Sequence, residues 1–94
     1  MAEESRIERM LVLEVKKMGG RAMKFVSPGL DGVPDRIVLL PGRKIAFVEL
    51  KAKGKKPQPL QEKRRRQLMA LGFPVSVIDD VGQIGGVLDE VQAT

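Results

Sequence analysis

Two apolar, β-branched runs, RIVLL at 36–40 and KIAFV at 44–48, meet across Leu40-Pro41-Gly42-Arg43. Strand formers on either side of proline-glycine turn chemistry specify a β-hairpin, which fixes how this part of the chain must fold. The hairpin also decides what stands at its open end. Pro34-Asp35 precedes the first strand and Glu49-Leu50-Lys51 closes the second, with thirteen residues between Asp35 and Glu49. Alternate residues of a strand share a face, so Glu49 and Lys51 point the same way. A five-residue loop over 40–44 places Asp35 directly across from Glu49. A slip of one residue makes them diagonal neighbours or moves Asp35 towards the other face.

Two carboxylates held side by side repel, and they persist together mainly when a divalent cation neutralises them. Asp35, Glu49 and a backbone carbonyl such as that of Leu50 form a hard oxygen set suited to Mg²⁺ or Mn²⁺, with a phosphate completing the shell. Lys51 would orient an attacking water or stabilise charge growing on that phosphate. The plainer account is an edge hairpin whose charges are merely solvated. Pro-Asp before the hairpin and Glu-x-Lys after it, taken together, favour the site.

What the chain lacks narrows the chemistry further. It has no Cys, no His and no Tyr, which excludes zinc sites of the usual ligand types, a cysteine nucleophile, a Ser-His-Asp triad and covalent tyrosyl attack on DNA. Ninety-four residues make one domain with one modest core. With only Phe25, Phe47 and Phe73 as aromatics, that core is expected to be aliphatic. No segment is long and apolar enough for a membrane span, and the charged start (AEESRIER) is unlike a signal, so the expected location is cytoplasmic. The formal net charge of +5 favours a polyanionic partner. Lys51, Lys53, Lys55, Lys56, Lys63, Arg64, Arg65 and Arg66 are opposed by Glu62 alone across that stretch. Such a run can be a solvated surface, but beside a candidate metal site it reads as a track for DNA phosphates.

Around the hairpin, residues 3–18 carry Ile7, Met10, Leu11, Val15 and Met18 at helical spacing, stopped by Gly19-Gly20. On the helical wheel Glu4 lies near the centre of the apolar face and Glu8 at its border. Either a third acid reaches the metal site from the helix, or acids simply favour helix N-termini. Residues 21–26 read as a first strand. The loop at 27–32 contains two glycines that allow close approach of a ligand, which makes Ser27 a candidate DNA contact. Asp31 fits an Asp-Gly turn. Residues 60–71 form a helix closed by Gly72, residues 73–78 a last strand, and Asp79-Asp80 caps a short helix at 81–91. The fold class is α/β, in the order αβββαβ with a short C-terminal helix, around a mixed sheet of about four strands.

This order, with Pro34-Asp35 on the second strand and Glu49-Leu50-Lys51 on the third, resembles the PD-(D/E)xK nuclease superfamily. More narrowly, GVPDRIVLLPGRKIAFVELKAKG followed by PLQ and a helix looks like the VRR-NUC domain in its short, stand-alone phage and bacterial form, over nearly the whole chain. The resemblance implies a restriction-endonuclease-like core and metal-dependent hydrolysis of DNA phosphodiesters. It places metal ligands at Asp35, Glu49 and the Leu50 carbonyl, and the catalytic lysine at Lys51. The helical glutamate maps to Glu4, with Glu8 as the alternative, and a conserved-type glutamine to Gln61, with Gln58 as the alternative. Lys53, Lys55, Lys56, Arg64, Arg65 and Ser27 would contact DNA. It further implies a homodimer resolving Holliday junctions, because symmetric cutting of a four-way junction needs two sites. Phe73, Val75, Ile84, Val87 and Leu88 are the expected interface unless they complete the core. Flaps, nicked DNA, or a non-catalytic role on branched DNA are the other readings.

Overall fold

The computed structural model describes residues 2–94. The elements run α1 (Ala2–Lys17), β1 (Arg21–Lys24), β2 (Arg36–Leu40), β3 (Lys44–Leu50), α2 (Pro59–Ala70), β4 (Val75–Ile78), a 3-10 turn at Val81–Gln83 and α3 (Ile84–Gln92). The strands lie in the order β1-β2-β3-β4. The first three are antiparallel and β4 runs parallel to β3, which gives the expected mixed sheet. Strand β3 is central and buried on both sides from Ala46 to Leu50, as its unbroken apolar run requires.

The hairpin is tighter than the five-residue loop allowed. Leu40 already pairs with Lys44, leaving Pro41, Gly42 and Arg43 to make the turn. Gly42 at φ 86° and Arg43 at φ 65° both take left-handed backbone, which glycine adopts freely and which a residue with a Cβ rarely does. The register is nevertheless the one that puts Asp35 across from Glu49. Arg36 faces Val48 at the last regular pair, and Asp35 is the next step outward.

Even-numbered residues of the hairpin build the main core. Val38, Leu40, Ala46, Val48 and Leu50 pack with Ile7, Leu11 and Val15 of α1 and with Ile84, Leu88 and Val91 of α3. The core is aliphatic, as composition required. The three phenylalanines form a separate cluster on the other face. Phe47 lies 5.5 Å from Phe25 and meets Phe73 edge-on at 6.0 Å. Glu49 shares that face with Phe47, two residues away.

Three expectations are corrected. Val75, Ile84 and Leu88 are buried within the chain and Val87 packs against the core, so these four complete the core, the alternative left open by the sequence, and α3 needs that face to close against α1; of the set, Phe73 is exposed at 36 %. Met10 is 37 % exposed, because the α1 stripe narrows to Ile7, Leu11 and Val15. The last strand starts at Val75 rather than at residue 73, since Pro74 serves only as an acceptor, its carbonyl taking the Phe47 N–H at 2.9 Å.

Candidate active site

Asp35 is held by backbone and side chain at once. Its carbonyl accepts the Phe25 N–H at 2.9 Å, extending the β1–β2 pairing by one step. Its Oδ2 accepts the Leu50 N–H at 2.8 Å. The carboxylate thus takes the place of the next backbone rung between β2 and β3, a charge-assisted bond that fixes its position. The other oxygen remains available to the site.

Glu49 is only 2 % exposed, and neither of its carboxylate oxygens has a hydrogen-bond partner among the described residues. Burial, followed by the charge of Asp35, pushes its carboxyl up to about 7, against the opposing pull of Lys51. Lys51 Nζ stands 3.6 Å from Glu49 Oε2, an ion pair too long for a hydrogen bond. The lysine backbone is anchored by its N–H to the Ile78 carbonyl at 3.0 Å, so β4 sets the position from which the side chain reaches back.

A buried carboxylate without hydrogen-bond partners, beside a second one, is an arrangement that a cation would relieve. Among the described residues no three His, Cys, Asp or Glu side chains converge closely enough to hold a metal. Two carboxylates and a backbone carbonyl are hard oxygen donors of the kind that Mg²⁺ takes alongside water and phosphate. The all-oxygen donor set is also the right chemistry for it.

The helical acids separate in the structure. Glu4 and Glu8 both line a cleft of about 290 Å³ together with Lys24, Phe25, Val26, Asp35 and Leu50. Glu8 is taken up by Arg36, whose Nε lies 2.9 Å from Glu8 Oε2 and whose second nitrogen donates to the Ala22 carbonyl at 2.8 Å. Glu4, one turn earlier on the buried stripe, is half-buried and has no such engagement among the described residues. Sequence reasoning missed Arg36, since its partner lies 28 positions away. Its place directly after Asp35, on the face turned to α1, was the available signal.

The remaining candidates fall into two groups. Gln61 does not line the cleft; its side-chain oxygen accepts the Gln58 N–H at 2.7 Å and caps α2. Arg64 Nε donates to the Asp31 carbonyl at 2.7 Å, tying α2 to the loop after β1. Arg65 binds the Val75 carbonyl and Glu62. Ser27 is half-buried, and its carbonyl closes a turn with the Leu30 N–H at 3.1 Å. Lys53 has its N–H on Glu3 Oε1 at 2.7 Å and its Nζ 3.7 Å from Asp80. Asp79 Oδ2 accepts the Gly54 N–H at 3.1 Å. Glu3, which sequence reasoning passed over, and Asp79, which it read only as a helix cap, thus brace the turn that follows Lys51. Lys55 and Lys56 stand exposed on it.

No family model matches the chain. It is 56 % identical over 79 residues to the protein named "Putative nuclease p44" of Acyrthosiphon pisum secondary endosymbiont phage 1, covering 84 % of this chain and 85 % of that one. A solved structure described as a VRR_NUC domain superposes with a TM-score of 0.87 at 28 % identity, over 93 % of this chain and 95 % of the other.

Proposed function

Because the chain belongs to the VRR-NUC family of nuclease domains, we propose that it is a divalent-metal-dependent endonuclease that hydrolyses DNA phosphodiesters at branched sites. The observation that carries this reading is the pair Asp35 and Glu49 across the hairpin end, with Glu49 buried and unpartnered and Lys51 at 3.6 Å. Asp35, Glu49 and the Leu50 carbonyl would hold Mg²⁺ or Mn²⁺. When bound, the cation supplies Lewis-acid polarisation of the phosphate and a more acidic water.

The residues of the chain do the rest. Asp35 is kept in place by the Leu50 N–H, and Glu49 is kept dry by its burial. Lys51 orients the attacking water and meets the charge that grows on the non-bridging phosphate oxygens. Glu4 sits on the cleft wall, placed to accept a proton from that water, while Glu8 is retained by Arg36. Lys55 and Lys56 extend a positive surface beyond Lys51 for the phosphates that flank the cut. One chain carries one such site, so paired cuts in a four-way junction require a C₂ dimer. The setting is the cytoplasm of a bacterial or phage-infected cell; no helix among the described residues is long and apolar enough to cross a membrane.

The test is a cleavage panel of labelled four-way, flap, nicked and linear DNA with Mg²⁺ or Mn²⁺, alongside a solution mass. Branched substrates should be cut, EDTA should stop the reaction, and Glu49→Gln should bind the junction but leave it intact. Cutting by Glu49→Gln at the normal rate would remove Glu49 from the site. No cutting of any substrate by the unaltered chain at any metal concentration would refute the enzyme reading, and a monomer without branch preference would refute the junction resolvase.

A further inference from the structure

One wall of the acidic cleft is apolar and open to solvent. Phe25 and Val26 line the cleft beside Asp35 and Glu4, and Val26 is 75 % exposed. Leu30, 44 % exposed, follows on the tight turn closed by its own N–H to the Ser27 carbonyl. Core packing accounts for neither side chain.

The ledge is braced. Phe25 is tied to the Asp35 carbonyl, and Arg64 grips the Asp31 carbonyl at 2.7 Å. Gly32 lies so close to α2 that a Cβ there would come within 2.8 Å of Leu60 Cγ. An apolar surface presented on a fixed loop is available for contact without an ordering penalty.

We infer that Val26 and Leu30 form a ledge that receives a nucleobase displaced from the stack next to the cleaved phosphate. The occupant follows from continuity with the cleft. A phosphate at Asp35 would bring its own nucleotide to Phe25 and Val26, which line the same cleft, and Lys24, also on its lining, supplies a cation for a neighbouring phosphate. In continuous duplex the base faces are stacked away from the protein, so an apolar side chain gains contact only where the stack is open. Apolar wedges at opened base steps work in this way. Branch points and displaced nucleotides supply such steps at low unstacking cost. The inference rests on the reading of the cleft as the cleavage site, and it assigns branch selectivity to this loop.

The test places 2-aminopurine, whose emission rises on unstacking, at the branch nucleotide of a four-way junction. Binding is followed by anisotropy in a Glu49→Gln background, so that a signal does not depend on cleavage. Emission should rise on binding, Val26→Ser should lose most of that rise at equal saturation, and Val26→Leu should keep it. The serine variant is expected to fold, because Val26 is largely solvent-exposed. With Glu49 restored, Val26→Ser should cut the junction about tenfold more slowly, the size expected when the apolar area of two methyl groups no longer covers the base. Equal emission from the Val26 and serine proteins overturns the ledge whatever the cleavage result. A change in solution mass caused by the serine substitution also overturns it, by assigning the ledge to a second copy of the chain. A serine-sensitive emission change without any cleavage by the unaltered chain supports the ledge and refutes the nuclease reading alone. Failure to bind any of these DNAs overturns both.

Discussion

Replacing Glu49 with glutamine should stabilise the metal-free protein, and only above acidic pH. The carboxyl is held at about 7 in the fold against its ordinary 4.5, so the folded state binds a proton more tightly than the unfolded chain. A carboxyl raised in this way contributes its full stability below pH 4.5 and loses it as pH climbs towards 7. At 1.36 kcal/mol per pKa unit the loss comes to about 3 kcal/mol by pH 8, and to less than about 1 kcal/mol at pH 5. That is a large part of the ~5–15 kcal/mol that holds such domains together. Glutamine removes the titration at nearly constant shape. With neither Trp nor Tyr in the chain, urea unfolding is best followed by far-UV circular dichroism in EDTA at pH 5 and pH 8. The two proteins should be nearly equal at pH 5, and the glutamine variant should be more stable by about 3 kcal/mol at pH 8, or ~12–24 °C in Tm for a chain of this size. Saturating Mg²⁺ should then close the gap from the Glu49 side, by about 2.7 kcal/mol at a hundredfold excess over Kd. Parallel stability–pH curves for the two proteins, or a glutamine variant that is weaker at pH 8, would refute the assignment of Glu49 as a buried, unrelieved acid.

Arg36→Ala strands both Glu8 and the Ala22 carbonyl and should cost about 2 kcal/mol in urea unfolding; an unchanged midpoint would mean that the contact does not hold α1. Gly32→Ala meets Leu60 at a φ of 86° and should lose about 2 kcal/mol, whereas Gly29→Ala, at φ 82° but in open space, isolates the backbone share of about 1 kcal/mol. Lys55→Ala and Lys56→Ala should each reduce the salt dependence of junction binding by about one phosphate contact. Arg65→Ala should instead lower stability and leave the salt slope alone, because its guanidinium already serves Val75 and Glu62.

The parts of the site that could be read early are those governed by local periodicity. The turn residues and two apolar runs set the hairpin, and the pairing of Arg36 with Val48 in the fold then chose, among the registers left open, the one that puts Asp35 across from Glu49. The i, i+2 rule put Lys51 beside Glu49, and helical spacing put Glu4 on the stripe of Ile7, Leu11 and Val15. What could not be read was the use of charges at long range. Arg64 and Arg65 look like phosphate contacts in a basic run, yet α2 buries none of its residues and is held largely through such polar ties. Gln61 looks like a site residue, and in the fold its side-chain oxygen accepts the Gln58 N–H at the start of its own helix.

The amino-acid order by itself thus determined the element sequence, the hairpin and the shared face of Glu49 and Lys51, because turn chemistry and strand alternation act between neighbours in the chain. The tertiary structure decided the depth of Glu49, the retention of Glu8 by Arg36, and the closure of Val75, Ile84 and Leu88 into the core. Each of these depends on which faces meet when β4 joins β3 and the helices cover the sheet. Burial and ion pairing are properties of that assembled surface, and no local pattern in the chain encodes them.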